Sequence, residues 1–298
     1  MRVASVLQRA HSEREGLELF RTVPGDIAPR DVQDMMAYPF FSLSKSRRTT
    51  PIQYRSGDIT ICVEGTHEHG IASIWDADIL IWAASQIVEA RDHRLFTSRW
   101  MTATPYEILT FLGRGTSARD YRRLKAALDR LQSTTIATSL RQLSSRRLHR
   151  FSWINEWKEQ SDGDGRVRGI ELILPDWFYS ALLSEGLVLT MDRRYFNLTG
   201  GIERWLYRLV RKHGGKQSTG WRFDFRHLYV KSGSASRYAN FALDLRSIVQ
   251  RQPLPGYRLA IERTRAGNEL LTFMPHRPES VASAIRDLAI ALRLGDKQ

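Results

Sequence analysis

The sequence predicts an α+β fold made of two similar units, each with paired helices followed by a strand hairpin. Three observations support this prediction. Residues 104–132 have the capping residues and apolar spacing of two helices joined by a tight turn. Residues 224–251 repeat the helical spacing, and strand-like runs follow both segments. The positive charge of the chain is concentrated in and around the same two segments.

The region before the first helix pair is predicted to contain a tail, short strands and one very apolar helix. Residues 1–34 have mixed charge and weak helical character, so we interpret them as an N-terminal tail or a loosely docked helix. Short strands are predicted within residues 37–63. Residues 74–90 predict a helix that is apolar on more than one side, and therefore buried in this chain or against another subunit. Asp76 and Asp78, at its start, are interpreted as helix caps rather than metal ligands.

The first helix pair has clear start and stop signals. Thr104 is a good N-cap, and Glu107 three residues later completes a capping box. Gly113 ends this helix and opens the turn. Ser117 then caps a second helix, with Asp120 as its reciprocal partner. The arrangement is a candidate helix-turn-helix, whose second helix would enter the major groove of DNA.

The second helix of this pair has one apolar face and one basic face. Its apolar stripe is formed by Tyr121, Leu124, Leu128 and Leu131. Its outward-facing cations are Arg119, Arg122, Arg123, Lys125 and Arg130. Arginine can bind guanine through two parallel hydrogen bonds, whereas lysine mostly supplies charge to phosphate. We therefore expect these cations to contact DNA; the alternative is that they are solvated helix charges.

A strand hairpin is predicted after the helix pair. Residues 134–140 form a short β-branched run, and residues 151–157 place alternate side chains on one face. The SDGDG sequence at 161–165 is a strong turn, and residues 167–174 return as a strand. A helix-turn-helix followed by a β-hairpin is a winged helix.

A second unit repeats this architecture without a detectable sequence repeat. Its predicted elements are helices within residues 202–214, 224–231 and 236–252 and strands over 257–263 and 269–274. A helix from residue 176 to residue 182 precedes it. We divide the chain into an N-terminal tail (1–34), a first winged-helix domain (35–185), a second winged-helix domain (186–276) and a C-terminal amphipathic helix (277–298).

Further candidate DNA contacts lie on the second recognition helix and on both hairpins. The helix carries Arg237, Asn240 and Arg246, and asparagine is suited to bidentate recognition of adenine. The strand that approaches the first hairpin loop carries Arg146, Arg147 and Arg150, and the second loop region carries Arg263 and Arg265. The hairpin arginines are expected to contact phosphate or a narrow minor groove. The alternative is that they are exposed charges that protect a strand edge from aggregation.

Charge and composition favour a polyanionic partner in a reducing compartment. The 298-residue chain has a net charge of +13. Residues 114–150 hold ten Arg or Lys against two Asp, and residues 221–275 hold nine against four acidic residues. The single cysteine, Cys62, excludes an internal disulfide framework and a cysteine-based metal site, and it fits the cytoplasm. The sequence shows neither a membrane-spanning run nor a signal-peptide core.

The sequence does not favour an enzyme or a cofactor site. His67 and His69 are the tightest histidine pair, and rolling-circle nicking enzymes use two histidines on a strand. Here Glu68 separates them, and Gly65 and Gly70 predict a turn instead. The GRGTS sequence at 113–117 lacks the lysine of a phosphate-binding loop. We expect neither metal nor cofactor, and we identify no catalytic set.

Several long runs of the chain are unusual. They include DMMAYPFFSLSKSRRTTPI (34–52), GIASIWDADILIWAASQIVEARD (70–92), ATPYEILTFLGRGTS (103–117), YRRLKAALDRLQSTTIATS (121–139) and LTGGIERWLYRLVRKHGG (198–215). Together with FSWINEWKE, LILPDWFY and RQPLPGYRL, these runs resemble the plasmid replication initiator RepA family of bacteria. The resemblance extends over about residues 34–275.

This resemblance implies a cytoplasmic bacterial protein that binds repeated double-stranded sites in a plasmid origin. It also implies origin opening, recruitment of a host initiator and a replicative helicase, and tandem winged-helix domains. A homodimer is a further possibility, because one unit could dimerise while the other binds DNA. The alternatives are a transcriptional repressor of the same fold, an origin-nicking nuclease, and an interaction module that binds no DNA.

Overall fold

The computed structural model describes residues 17–142, 147–164, 167–214 and 220–276. Its helices are α1 (Gln33–Ala37), α2 (Ala77–Asp92), α3 (Pro105–Phe111), α4 (Ala118–Ser133), α5 (Asp176–Leu183), a 3-10 helix (Arg193–Asn197), α6 (Gly201–Gly214), α7 (Phe225–Ser232) and α8 (Tyr238–Arg251). Its strands are β1 (Phe20–Arg21), β2 (Arg30–Val32), β3 (Ile52–Ser56), β4 (Ile59–Glu64), β5 (Trp100–Ala103), β6 (Thr135–Thr138), β7 (His149–Ser152), β8 (Glu156–Ser161), β9 (Val167–Ile173), β10 (Val188–Thr190), β11 (Trp221–Asp224), β12 (Tyr257–Arg263) and β13 (Glu269–Pro275). The predicted C-terminal helix, 277–298, lies outside the described residues.

The predicted α+β class is confirmed, and the chain contains two units with the same order of elements. The first unit runs α2, β5, α3, α4, β8 and β9, and the second runs α6, β11, α7, α8, β12 and β13. The strand order is β5-β9-β8 in the first unit and β11-β13-β12 in the second. In both units the strand before the helix pair therefore pairs with the last strand of the following hairpin. This shared topology has no counterpart in a visible sequence repeat.

The first unit contains an additional sheet that the sequence did not predict. Strands β6 and β7 pair with each other, and β6 also pairs with β4, which gives a sheet of order β3-β4-β6-β7. The prediction of one strand over residues 151–157 is therefore wrong. The chain leaves this sheet after β7 and joins the β5-β9-β8 sheet at β8. Trp153 and Ile154, between the two strands, are consecutive and both completely buried, so the alternation of a single strand is not kept here.

Residues 17–34 form part of the folded core, unlike the tail predicted for residues 1–34. Strand β1 pairs in parallel with β5, and β2 pairs with β10 across the boundary predicted at residue 186. Phe20, Ile27 and Val32 are buried. Their apolar surface provides the stabilisation that orders this segment. Residues 1–16 lie outside the described part of the chain.

Helix α2 is the centre of the first unit, as its composition predicts. Thirteen of its sixteen residues are buried, on all sides of the helix. It contacts β2 and α5 as well as α3. The helix is thus enclosed by this chain itself, and its apolar surface needs no second subunit to cover it.

Helix α6 is held against the first unit by two buried arginines one turn apart. Arg208 Nε donates to Asp31 Oδ2 at 2.7 Å, and both side chains are almost inaccessible to solvent. Arg204 Nη1 donates to both carboxylate oxygens of Asp78, at 2.8 and 2.9 Å. These ion pairs fix the second unit relative to the first, because Asp31 lies in β2 and Asp78 lies in α2.

Candidate nucleic-acid interface

The two capping boxes predicted at the helix pair are present, one at the start of α3 and one at the start of α4. The Glu107 backbone N–H donates to Thr104 Oγ1 at 3.1 Å, and the Glu107 carboxylate accepts from the Thr104 backbone N–H. Ser117 and Asp120 make the equivalent exchange. Hydrogen bonds from Ser117 lower the pKa of the Asp120 carboxyl, with a smaller contribution from the charge of Arg123. The N-terminal turn of α4 is therefore held in a defined position.

The cations of α4 divide into an exposed group and a bonded group. Arg119, Arg122 and Arg123 are exposed along the N-terminal half of the helix, where base edges are reached in a helix-turn-helix. Arg123 lies 3.7 Å from Asp120. Lys125 Nζ lies 2.6 Å from Glu159 Oε1 on β8, and Arg130 makes two hydrogen bonds with Asp76, at 2.8 and 2.7 Å.

Asp76 and Asp78 hold arginines instead of capping α2. Asp76 accepts from the Ser73 backbone N–H and hydroxyl, and no hydrogen bond from its side chain caps the helix. Asp78 accepts from Arg114 as well as from Arg204. The cap interpretation is therefore wrong. The arginine partners of these two buried carboxylates are distant in the sequence; Arg204 is buried as well, whereas Arg114 and Arg130 are partly exposed.

A basic cleft of about 630 Å³ lies beside the helix turn. Five cationic residues line it, with the carboxylates of Asp76 and Asp120 among them: Lys45, Arg114, Arg123, Arg130 and Arg204. The Lys45 ammonium lies 5.3 Å from the centroid of the Trp75 ring at one side of the cleft. The sequence interpretation missed Lys45 and Arg114, because neither lies on the predicted recognition helix.

In the second unit, the exposed candidates lie at the start of α8. Arg237, at the N-cap position, and Asn240 are both exposed. Arg246 instead makes two hydrogen bonds with Glu269 on β13, at 3.0 and 2.6 Å, and Arg263 lies 3.9 Å from the same carboxylate. The hydrogen bonds from Arg246 lower the pKa of the Glu269 carboxyl. Arg265 is exposed in the β12–β13 loop.

Arg226 is a further exposed cation at this surface, and it was absent from the sequence-based set. Its guanidinium lies 4.8 Å from the centroid of the Tyr238 ring, at the start of α8. A shallow cleft brings it together with Arg246, Arg263 and Asn268. The second unit thus gathers cations from α7, α8 and the hairpin on one surface. Arg226 could be assigned to this surface only from the packing of α7 against α8, which the sequence does not give.

The arginines predicted for the first hairpin lie elsewhere than expected. Arg150 is exposed on β7, Arg147 is exposed just before it, and Arg146 lies outside the described residues. Strand β7 belongs to the sheet with β3 and β4, so neither Arg147 nor Arg150 lies on the strand that leads into the SDGDG turn. Strand β9, which follows that turn, instead carries Arg168, whose Nε lies 2.7 Å from Asp162 Oδ2.

The histidine pair lies in a turn, as Gly65 and Gly70 predict. Thr66 and Gly70 form an isolated antiparallel bridge, and the Gly70 N–H donates to the Thr66 carbonyl at 2.8 Å. His67 is exposed at the tip of this turn, whereas His69 is half-buried.

Comparison with known proteins supports the family suggested by the sequence. The family described as RPA, replication initiator protein A, matches residues 30–259. The chain belongs to the replication initiator protein A family. A protein of Wigglesworthia glossinidia brevipalpis with a provisionally assigned role in replication is 32% identical over 242 residues, covering 80% of this chain and 86% of that protein.

Among solved structures, this family member resembles domains 2 and 3 of RctB. One crystal structure of these domains gives a TM-score of 0.59 at 15% identity, and covers 80% of this chain and 95% of the other. A second gives a TM-score of 0.55 at 14% identity, with 82% and 97% covered. At such identities the likeness concerns the fold. Within the described residues, no helix has the length and apolar character needed to cross a membrane.

Proposed function

We propose that this initiator-family protein starts plasmid replication by binding repeated double-stranded DNA sites in an origin. The main supporting observation is the pair of units with one topology, each exposing cations at the start of its second paired helix. Origin opening and recruitment of a host initiator and a replicative helicase are the further steps of this proposal. The protein would act by binding and not by catalysis.

Both units are proposed to be winged helices. In each unit a helix, a strand, two helices and a hairpin follow in order, and the first strand pairs with the last. In this interpretation α4 and α8 are the recognition helices. The β8–β9 turn and the β12–β13 turn are then the wings. The β8–β9 turn is the SDGDG turn predicted for the first wing, but Arg147 and Arg150 do not lie on this hairpin. Together with Arg146, they stay candidates for a separate phosphate contact.

The exposed cations at the start of α4 are proposed to make the specific contacts. Arg119 and Arg122 have no carboxylate partner at ion-pair distance among the described residues, so base contact would break no existing pair. Arg123 would give up only a 3.7 Å contact with Asp120. Lys45 would add a phosphate contact from the neighbouring cleft, whereas Asp78 already holds Arg114. Phosphate neutralisation would supply most of the affinity and make it fall with salt.

Arg122→Ala and Lys125→Ala provide a matched test, because each removes one positive charge from α4. We expect Arg122→Ala to weaken binding to an origin site by about 1–3 kcal/mol if the arginine binds a base. Lys125→Ala should cost much less, because Glu159 already holds the ammonium. The measurement is a salt titration of binding to labelled origin duplex and to a scrambled duplex. If both variants lose the same affinity, or if Arg122→Ala loses none, α4 does not make the specific contacts.

The replication role itself needs a separate experiment. A footprint of the purified protein across its own plasmid should show protected repeats, and a plasmid with only that origin should be maintained when the gene is supplied. Protection without maintenance would favour a repressor. Relaxation of supercoiled origin DNA in the presence of a divalent metal would favour a nicking nuclease.

A further inference from the structure

A row of aromatic rings lies where β11 and α7 meet the end of α6. The Phe223 ring is stacked on His227, with centroids 5.7 Å apart and an angle of 7° between the planes. His213 meets the edge of Phe223 at 5.1 Å, and the Trp221 ring lies 6.0 Å from His213. Trp221 is 41% exposed, at the start of β11, which is the edge strand of its sheet. One end of the row is therefore an indole ring that solvent and ligands can reach.

Two lysines border this row without a compensating carboxylate. Lys212 lies at the end of α6, and Lys231 lies one turn after His227 on α7. The Lys231 ammonium also lies 4.7 Å from the centroid of the Tyr38 ring. Neither has a carboxylate at ion-pair distance among the described residues. Burial and the charge of Lys212 lower the pKa of Lys231 to about 8. The negative charge of Asp224 raises the pKa of His227 and so partly opposes its lowering by burial.

The patch is separate from the surface proposed to bind duplex DNA. On α7, Arg226 points toward Tyr238 at the start of α8, whereas His227 and Lys231 flank the aromatic row beside α6. The two groups therefore lie on different faces of α7. A ligand on the aromatic row would leave Arg237 and Asn240 accessible.

We propose that this patch of Trp221, Phe223, His227, Lys212 and Lys231 binds single-stranded DNA. An unpaired base would stack on the exposed indole, and the lysines would meet the flanking phosphates. Proteins that hold single strands combine aromatic stacking with a positively charged path for the backbone in this way. In a duplex, the bases are stacked on one another and offer no free face to Trp221. An acidic peptide would bind the lysines but would not stack on the aromatic rings. Under the proposed initiator function, the ligand would be a separated origin strand.

The test measures binding of the full-length chain to a fluorescein-labelled oligothymidine of twenty nucleotides and, in parallel, to origin duplex. Trp221→Ala should weaken oligothymidine binding about tenfold, because one stacked base contributes roughly a factor of 5 to 150. Trp221→Phe should keep most of the affinity. The double variant Lys212→Gln and Lys231→Gln should flatten the salt dependence. Duplex binding should be unchanged in all three variants.

Phe96→Ala is the control, because Phe96 is an exposed aromatic residue of the first unit. It should leave oligothymidine binding unchanged. The proposal is overturned if the unmodified protein does not bind oligothymidine, if Trp221→Ala binds it as the unmodified protein does, or if polyglutamate competes as well as unlabelled oligothymidine. Loss of duplex binding in the Arg122→Ala variant has no bearing on these outcomes, so the two proposals fail separately.

Discussion

The arginines of this chain differ mainly in whether a carboxylate already holds them. Arg130 and Arg246 each make two hydrogen bonds with an acidic partner, although both were predicted to face DNA. A guanidinium held in this way must lose its partner before it can bind a base. Arg122 and Arg237 are exposed and better suited to direct contact. Sequence position alone ranks these four residues equally, whereas their ion pairs distinguish them.

The two histidines of the aromatic row should make the fold sensitive to mild acid. Burial lowers the pKa of both His213 and His227 below the ordinary value of 6.5. Below pH 6.5 the unfolded chain therefore binds more protons than the folded chain, and stability falls as the pH drops through the folded-state pKa. We predict that the urea midpoint is lower at pH 5.5 than at pH 7.5.

His213→Gln should reduce this difference between the two pH values. Carboxylates with lowered pKa, such as Asp120 and Glu269, lose their contribution only in more acidic solution. The same loss between pH 7.5 and 5.5 in His213→Gln and His227→Gln as in the unmodified chain would contradict the assignment to these side chains.

At the scale of elements, capping and close approach determine where helices begin. The α3–α4 pair starts at two capping boxes that were visible in the sequence. The start of α6 depends instead on close approach to the backbone of residue 43. A Cβ atom on Gly201 would lie 1.9 Å from the Leu43 carbonyl oxygen, so only glycine lets α6 approach this backbone. A Cβ atom on Gly200, its neighbour, would instead lie nearest to the side chain of Glu203, at 3.0 Å.

Gly201→Ala should therefore destabilise the protein by more than about 1 kcal/mol, since backbone must move to accommodate the methyl group. Gly200→Ala is the matched control and should cost less, because the nearest atoms to its Cβ belong to the Glu203 side chain and not to backbone. Urea unfolding monitored by circular dichroism compares the two variants. If Gly200→Ala is as destabilising as Gly201→Ala, close packing of α6 on residue 43 is not the reason for the glycine.

At the scale of the whole molecule, the two units are joined through a common core and through buried charge. Buried apolar side chains form one cluster that includes both α2 and α6. The Asp31–Arg208 and Asp78–Arg204 pairs cross between the units within this core. Removing one member of such a pair leaves the other buried and uncompensated, which is more costly than the pair itself is stabilising. The relative placement of α4 and α8 on a DNA duplex thus depends on α6.

Arg208→Ala should lower the free energy of unfolding by about 3–5 kcal/mol, because Asp31 would stay buried without its partner. Arg194→Ala, which removes an exposed partner of Asp192, should cost at most about 1 kcal/mol. Replacing both members, with Asp31→Leu and Arg208→Met, should restore much of the loss. Urea denaturation of the four proteins gives these values. A double variant less stable than Arg208→Ala would contradict this explanation, because the loss could then not come from an unpaired Asp31 carboxylate.

The sequence by itself determined the α+β class, the capped helix pair at 104–132, the hairpin from residue 257 and the initiator family. These features depend on local spacing, turn residues and runs that lie close together in the chain. Only the tertiary structure decided that residues 151–157 divide between two sheets and that residues 17–34 belong to the core. It also decided that Asp76 holds Arg130, 54 positions away. Strand partners and ion-pair partners so far apart are selected by packing, and no local pattern in the sequence encodes that choice.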